Sequence, residues 1–213
     1  MRRVVITGIG IYSSIGKNVE EVADSLYHGR SGIGLDPERK AMGYRSSLTG
    51  LVSVPDVRDF VDRRQRHSLP EQGFYSCVAA REAFSMAGID GDFLDRNEVG
   101  VLFGGDSSAA PIINSIDDIR EKGTTLLVGS GSVFQSMTST VSMNLSVIFK
   151  LKGINFSIAG ACASGSHAMP QASPPGCIRA SSGPRRTGNC SCWRHGSGTG
   201  GSGLSRRCNT CTT

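Results

Sequence analysis

Three short apolar runs, each ending in glycine, constrain the fold of this chain more than any other feature of its sequence. The runs are RVVITGIG (residues 3–10), VGVLFGG (99–105) and INFSIAG (154–160). Each has the length and apolar composition of a buried β-strand, and the glycines are typical of the turn that follows such a strand. Residues at helical spacing separate the runs. Strands alternating with helices predict an α/β fold, in which a mostly parallel sheet is flanked by helices.

The segments between the runs carry the helical patterns. Asn18, followed three residues later by Glu21, resembles a capping box and predicts a helix that stops at Gly29. A second helix is predicted to begin at Pro70 and to end at Gly88. A long third helix is predicted from one apolar stripe that ends near Gly153, formed by Val133, Met137, Val141, Leu145 and Ile148.

A change of composition divides the chain into two parts, residues 1–168 and 169–213. Six of the 23 Lys and Arg residues, and none of the 18 Asp and Glu residues, lie in the second part. The first part therefore carries 17 basic and 18 acidic side chains, a net charge of −1. The overall charge of +5 comes from the second part, so it gives little support to a nucleic-acid partner.

The second part, residues 169–213, is rich in Arg, Cys, Gly, Pro and Ser and has no period of 2 or 3.6 residues. Such a composition predicts a low-complexity, disordered tail, and we interpret it as a coding sequence read in a shifted frame. Arginine-rich RNA binding and a zinc site are less favoured alternatives, the latter because few apolar residues are present to pack around a metal. The zinc ligands would be Cys190, Cys192, His195, Cys208 and Cys211.

The cellular compartment is predicted from cysteine usage and from the absence of targeting patterns. Cys77 and Cys162 are the two cysteines of residues 1–168, too few for a disulfide framework. No signal-peptide pattern and no apolar run of 18 residues is present. These observations predict a cytoplasmic protein with no membrane segment.

Cys162 is the candidate nucleophile, in the segment SIAGACASGSHA (157–168). A sharp turn from a strand into a helix would expose its sulfur at the carboxyl end of the sheet, near the positive end of a helix dipole, which favours the reactive thiolate. The alternative is a buried, inert cysteine. His167 lies five residues further on, about 140° around a helix from the cysteine, and is interpreted as a packing residue.

SIAGACASGSHA resembles the active-site segment of the β-ketoacyl-acyl carrier protein synthases. The start of the chain, RRVVITGIGIYSSIGKNVEEVADSLYHGRSGI, is similar to the amino terminus of the same family, and VGVLFGG and FKLKGINFSIAGACASGSHA follow in the family's order. The resemblance covers residues 1–168, the amino-terminal half of such an enzyme, and bacterial synthase I of fatty-acid elongation is the most similar type.

The resemblance implies a thiolase-like fold of two similar α/β halves, a homodimer, and no cofactor or metal. It implies that Cys162 accepts an acyl chain from acyl carrier protein and that this chain condenses with malonyl-carrier protein, which loses carbon dioxide. Two histidines and a lysine from the carboxyl-terminal half assist the family's reaction, and no counterpart is recognised in this sequence. We therefore expect the 213-residue chain not to complete a condensation alone.

Two further segments are candidate substrate contacts. Arg63, Arg64 and Arg66 lie in FVDRRQRH (60–67), interpreted as a basic loop that is either a solvated surface or, as the resemblance implies, a docking site for the acidic carrier protein. In GGDSSAAP (104–111) the resemblance places the mouth of an acyl pocket, and its polar residues there are Asp106, Ser107 and Ser108.

Two alternative functions remain open, and one further glycine motif is present. A non-catalytic fragment that binds carrier protein and a polyketide-type condensing enzyme both stay open as alternatives to fatty-acid synthesis. A dinucleotide site is not expected, since Gly8 and Gly10 begin a G-x-G-x-x-G frame in which Ser13 replaces the third glycine. The glycine turn is therefore interpreted as structural.

Overall fold

A computed structural model of the chain describes residues 4–106, 108–126 and 128–171. The acyl-pocket candidate Ser107 lies outside the described residues. So do residues 172–213, which hold nearly all of the predicted tail and every ligand of the alternative zinc site. The fold below is that of the described residues.

Two of the three glycine-ended runs form a parallel pair of strands. Strand β3 (Val101–Gly104) pairs with β4 (Asn155–Ile158) in a register that joins Val101 to Asn155 and Gly104 to Ile158. Parallel strands need a long connection, and here it carries three helices. A separate antiparallel pair joins β1 (Ile33–Leu35) to β2 (Leu48–Gly50). The parallel pair with its helices confirms the predicted α/β class.

Helices follow the strands and cover the parallel pair. Two of them, α8 and α9, pack against both β3 and β4. No helix in the described ranges has the length and apolar content needed to cross a membrane. The helices are α1 (Val19–Tyr27), α2 (Pro37–Ala41), α3 (Arg63–Ser68), α4 (Glu71–Ala87), α5 (Gly91–Arg96), α6 (Ala110–Lys122), α7 (Gly131–Ser136), α8 (Thr140–Ile148) and α9 (Ser164–Gln171).

The first two predicted helices are confirmed, together with their end signals. The Asn18 side chain accepts the Glu21 N–H at 2.8 Å and caps α1. The Glu21 carboxylate in return accepts the Lys17 N–H at 2.8 Å and the Asn18 side-chain amide at 3.2 Å. Pro70 is the cap residue of α4, and Gly88 ends this helix with φ of 66°, a left-handed conformation that glycine adopts without strain.

The predicted first strand does not form in the described residues 4–10. Gly8 and Gly10 instead lie against the backbone of α4, so close that a Cβ on Gly10 would stand 1.8 Å from the Ala79 oxygen. The Ile11 N–H donates to the Glu82 carboxylate of the same helix at 2.9 Å. A strand needs a hydrogen-bonded neighbour, and the described residues pair none with this segment. The close approach supports the structural interpretation of the glycine turn.

The predicted long third helix is divided into α7 and α8. The Thr140 hydroxyl donates to the Phe134 carbonyl and the Thr140 N–H to the Met137 carbonyl, bonds that turn the chain between the two helices. Hydroxyl side chains that bond local carbonyls compete with a continuous helix. As a result, Val141 is buried on α8, whereas Val133 on α7 is largely exposed.

The hydrophobic core lies where α4 and α8 meet the β3–β4 pair. Cys77, at the centre of α4, is fully buried in this core. The Phe149 ring packs edge-on against Phe84, with ring centres 5.1 Å apart, and closes one side of the core. The buried members of the core are Val57, Val61, Leu69, Cys77, Val141 and Leu145.

Candidate active site

Cys162 lies on the turn that joins β4 to α9. The turn is a single 3₁₀ turn, Ala161–Ala163, and Cys162 is an exposed free thiol within it. Ala161 takes a left-handed conformation with φ of 48°, which costs about 1–2 kcal/mol for a residue with a Cβ. The turn is therefore a strained one that presents the thiol at the carboxyl end of β4, as the sequence predicts.

Ser164, the first residue of α9, holds this turn together. Its hydroxyl oxygen accepts the Gly160 N–H at 2.8 Å and donates its proton to the Ala161 carbonyl at 2.7 Å. The Ser164 N–H donates to the same carbonyl, and the Ala163 N–H donates to the Gly160 carbonyl at 3.0 Å. The peptide groups on the amino-terminal side of Cys162 are thus fixed by one buried side chain.

Two glycines allow α9 to pack tightly behind the thiol. A Cβ on Gly104, at the end of β3, would stand 2.4 Å from the Ser164 backbone oxygen and 2.6 Å from the Gly165 Cα. A Cβ on Gly160 would stand 2.8 Å from the His167 Nδ1. Gly104 therefore requires the absence of a side chain, because the atoms it faces are backbone, whereas at Gly160 the exposed His167 ring could move aside.

His167 is an exposed residue whose ring lies beside the Gly160 backbone. This position agrees with a packing residue that supports the turn. The ring fills the space beside Gly160, two residues before Cys162, that a Cβ would otherwise occupy. Its role in the reaction stays a prediction.

Cys77, the other cysteine of the described chain, is in the opposite environment. It has no exposed surface, and burial raises the pKa of its thiol from 9.0 to about 12. A thiol that stays protonated near neutral pH is a poor nucleophile. Of the two cysteines among the described residues, Cys162 is the one whose thiol is accessible to a substrate.

The loop after β3 begins at the same edge of the sheet as the Cys162 turn. Because the strands are parallel and Gly104 pairs with Ile158, the loops that follow them leave the same edge. The Gly105 N–H extends the ladder by donating to the Ile158 carbonyl at 3.1 Å. Asp106 is exposed and Ser108 is half-buried on this loop, and their role at an acyl pocket stays a prediction.

The basic segment is a helix and not the loop that the sequence analysis expects. Asp62 accepts the Gln65 N–H at 2.7 Å, and the Gln65 side chain accepts the Asp62 N–H in return, a capping box that starts α3. A helix of six residues is too short for an apolar period to reveal it. The capping pattern alone could have identified it.

The arginines of α3 form a compact basic surface. Arg63 and Arg64 are exposed, and in the described chain neither forms an ion pair, whereas the half-buried Arg66 donates to the Val61 carbonyl at 2.7 Å. Together with His67 these arginines line an open depression of about 640 Å³. The structure thus brings the three predicted docking residues onto one short helix.

Helix α8 contacts both the basic helix and the strand that leads to the thiol. The Ser68 hydroxyl at the end of α3 lies 2.8 Å from the Asn144 Oδ1 on α8. Two residues earlier on α8, the Ser142 hydroxyl lies 2.8 Å from the hydroxyl of Ser157 on β4. The two candidate sites are therefore both anchored to the buried face of α8.

Across the described ranges, no three His, Cys, Asp or Glu side chains are grouped so that they could hold a metal ion.

A solved structure defines the class to which this fold and this turn belong. The crystal structure of a beta-ketoacyl synthase from Burkholderia phymatum matches 81% of this chain with a TM-score of 0.66 and 29% sequence identity. The match covers 43% of that protein. The fold is therefore that of the thiolase-like ketosynthases.

Sequence comparisons then identify the family. The family model of the beta-ketoacyl synthase N-terminal domain matches residues 1–173, and the chain belongs to this family. Two relatives, both named 3-oxoacyl-[acyl-carrier-protein] synthase 1, are 35% identical over 174 residues in Buchnera aphidicola and 36% identical over 174 residues in Escherichia coli. Each match covers 81% of this chain and 43% of the relative, so the chain spans less than half the length of these enzymes.

Proposed function

We propose that this chain is the acyl-accepting part of a 3-oxoacyl-[acyl-carrier-protein] synthase of fatty-acid biosynthesis. The observation that carries the proposal is the exposed Cys162 thiol on a strained turn between a core strand and a helix. A nucleophile must be open to its substrate and fixed in direction, and this turn provides both conditions. Membership of the family supports the choice of reaction.

The first half-reaction is a thioester exchange. The Cys162 thiolate attacks the carbonyl carbon of an acyl-carrier thioester, a new carbon–sulfur bond forms, and the bond to the carrier's sulfur breaks. The carrier leaves as a thiolate and takes up a proton. A thiolate suits this step because it is both a good nucleophile and a good leaving group.

The second half-reaction returns the thiol to its starting state. Malonyl-carrier protein loses carbon dioxide, and the electron pair left on its α-carbon attacks the acyl carbonyl held on Cys162. The carbon–sulfur bond to Cys162 breaks, and the thiolate is free for the next acyl group. The histidines and the lysine that assist this step in the family have no assigned counterpart among the described residues, so we expect the chain to stop after acylation.

We propose that α3 is the docking site for acyl carrier protein. Arg63 and Arg64 occupy the first turn of α3, where the helix dipole disfavours positive charge, so their placement does not serve the stability of the helix. Exposed arginines free of ion pairs are suited to binding carboxylates and phosphates through their forked donors. An acidic carrier protein, which presents carboxylates, matches that chemistry.

A charge reversal tests the docking site. We expect Arg63→Glu or Arg64→Glu to raise about fivefold, at low salt, the concentration of acyl-carrier protein that gives half the maximal acylation rate, the effect of losing an exposed ion pair of roughly 1 kcal/mol. Arg96→Glu, an equal change of charge on the exposed face of α5, is the matched control and should leave this concentration unchanged. Equal effects of the three substitutions would contradict the proposal that α3 is the docking site.

The acylation itself is tested by intact mass spectrometry. The full chain, incubated with an acyl-carrier thioester, should gain the mass of one acyl group, and Cys162→Ala should gain none. A chain that binds carrier protein without being acylated would instead support the alternative of a non-catalytic binding fragment. Acylation that persists in Cys162→Ala would contradict the assignment of the nucleophile.

We also propose a homodimer and a cytoplasmic location. Among the described residues β4 pairs with β3 on one side, and Phe156 on β4 is 59% exposed, which leaves an apolar edge available to a second copy. The two free thiols of the described chain suit a reducing compartment. Sedimentation of the full chain tests the dimer, and a monomer at all concentrations would contradict it.

A further inference from the structure

We propose that Ser164 is a positioning residue for Cys162, because its hydroxyl bonds the Gly160 N–H and the Ala161 carbonyl, which belong to two of the three peptide groups before the thiol. The proposal rests on the proposed function in that it takes Cys162 as the acyl acceptor. No sequence pattern singles out Ser164, and its role is visible only once the turn is folded.

The hydroxyl of Ser164 makes two hydrogen bonds, one as acceptor and one as donor. It accepts the Gly160 N–H at 2.8 Å and donates to the Ala161 carbonyl at 2.7 Å, so one side chain satisfies a donor and an acceptor on consecutive residues. A hydroxyl is the smallest group that both donates and accepts. The two bonds close a ring around the residues that lead directly into Cys162.

The backbone at this point needs such a clamp. Ala161 has φ of 48°, a left-handed conformation that is unfavourable for alanine. Such a conformation persists only when surrounding contacts stabilise it. The peptide group between Ala161 and Cys162 sets the direction in which the thiol leaves the turn. Ser164 holds the carbonyl of that peptide through both its hydroxyl and its own N–H.

Burial makes the clamp hard to replace. Ser164 is 3% exposed, and its backbone oxygen lies close behind Gly104 of β3. The Gly160 N–H is half-buried, and its partner in the described chain is the Ser164 hydroxyl. Without that hydroxyl, a backbone donor loses its hydrogen bond and the Ala161 conformation loses one of its two supports.

The test compares two reactions of Cys162 in the full chain. Acyl transfer from a thioester needs the thiol in a defined direction, whereas alkylation by iodoacetamide needs an accessible thiol. We expect Ser164→Ala to slow acyl transfer about tenfold, the change that the loss of one buried hydrogen bond produces, and to leave alkylation within about twofold. Ser164→Thr keeps the hydroxyl and should restore acyl transfer.

Matched controls separate positioning from unfolding. Ser166→Ala removes an exposed hydroxyl from the same helix and should behave as the unmodified chain. The buried Cys77 reports folding, because it resists iodoacetamide as long as the core is intact. Peptide mapping reads the two cysteines in one sample. Unchanged acyl transfer in Ser164→Ala, or an equal loss in acylation, alkylation and Cys77 protection, would overturn the proposal.

Amide hydrogen exchange tests the clamp independently of the proposed function. The Gly160 amide should exchange slowly in the unmodified chain and in Ser166→Ala, and at least about tenfold faster in Ser164→Ala. If the unmodified chain takes up no acyl group, the proposed function fails while this measurement still decides the role of Ser164. Equal exchange of the Gly160 amide in all three chains would overturn that role.

Discussion

Cys77 and Cys162 are the same side chain in two contrasting regions of one molecule. Cys77 lies at the centre of α4 with no exposed surface, within a core of apolar side chains, and burial raises its pKa to about 12. Cys162 lies on a turn at the edge of the sheet, exposed to solvent. The first is held by side-chain packing, whereas the turn that carries the second is held by hydrogen bonds, two of them made by the Ser164 hydroxyl.

The difference shows where reactivity comes from in this fold. A buried thiol contributes apolar volume, and its sulfur is closed to substrates and protonated near neutral pH. The exposed thiol contributes little to packing, so the chain can use it for chemistry. Its direction is set by Ser164 and by two glycines that let α9 approach β3 and the turn. Substitutions at the two cysteines should therefore separate stability from activity.

The largest expected effect is the loss of acylation in Cys162→Ser. Serine keeps the size and the exposure of the side chain but is not ionised near neutral pH, so it does not replace a thiolate. We expect no acyl adduct by mass spectrometry and a change in the free energy of unfolding within about 0.5 kcal/mol, as for other exposed positions. A large loss of stability would show that Cys162 is part of the packing after all.

A clash behind the turn should give the largest loss of stability. Gly104→Ala places a Cβ 2.4 Å from the Ser164 backbone oxygen, where no side chain can move aside. We expect a loss of about 3 kcal/mol in denaturant unfolding, at the upper end of overpacking effects. Gly91→Ala is the matched control, because nothing lies within 4 Å of its Cβ position. Equal stability of the two variants would contradict the close packing of α9 on β3.

At the buried cysteine the expected effects are reversed. Cys77→Ser places a hydroxyl in the apolar core and should lower the free energy of unfolding by about 1–3 kcal/mol. The folded fraction should still be acylated at Cys162 at the normal rate. Chemical denaturation and acylation of the same preparation check both statements. Normal stability combined with lost acylation would indicate that Cys77, and not Cys162, is needed for acylation.

The smallest expected effect concerns alkaline pH. Because the pKa of Cys77 is near 12 when folded and about 9.0 when unfolded, only the unfolded chain loses this proton between those values. The stabilisation is therefore complete below pH 9 and declines above it, by about 1.4 kcal/mol per pH unit at most. Unfolding midpoints at pH 8.5 and 10.5 should differ more in the unmodified chain than in Cys77→Ala. An equal difference would show that Cys77 is already ionised when folded.

Much of the region around Cys162 could be predicted from sequence. Small residues after an apolar run predicted the exposed turn, and VGVLFGG and INFSIAG became β3 and β4. The start of α1 at Asn18 and the end of α4 at Gly88 could also be predicted, because helix capping depends on a few neighbouring residues. Local signals of this kind act within a few residues and survive in the folded chain.

Other parts of the fold depend on contacts that the sequence pattern does not contain. Residues 4–10 have a strand composition, but a strand forms only beside a partner, and this segment bonds to side chains of α4 instead. The break between α7 and α8 comes from the Thr140 hydrogen bonds. The 3.6-residue spacing of apolar side chains carries no information about these bonds. The clamp by Ser164 likewise depends on a turn geometry that becomes visible only after folding.

The most direct test of the account is site-resolved acylation of the unmodified full chain. After exposure to an acyl-carrier thioester, peptide mapping should place the acyl group on Cys162 and leave Cys77 free. The account predicts this distribution because one thiol is open on a fixed turn and the other is enclosed in the core. An acyl group on Cys77, or a folded chain with Cys162 unmodified, would contradict it.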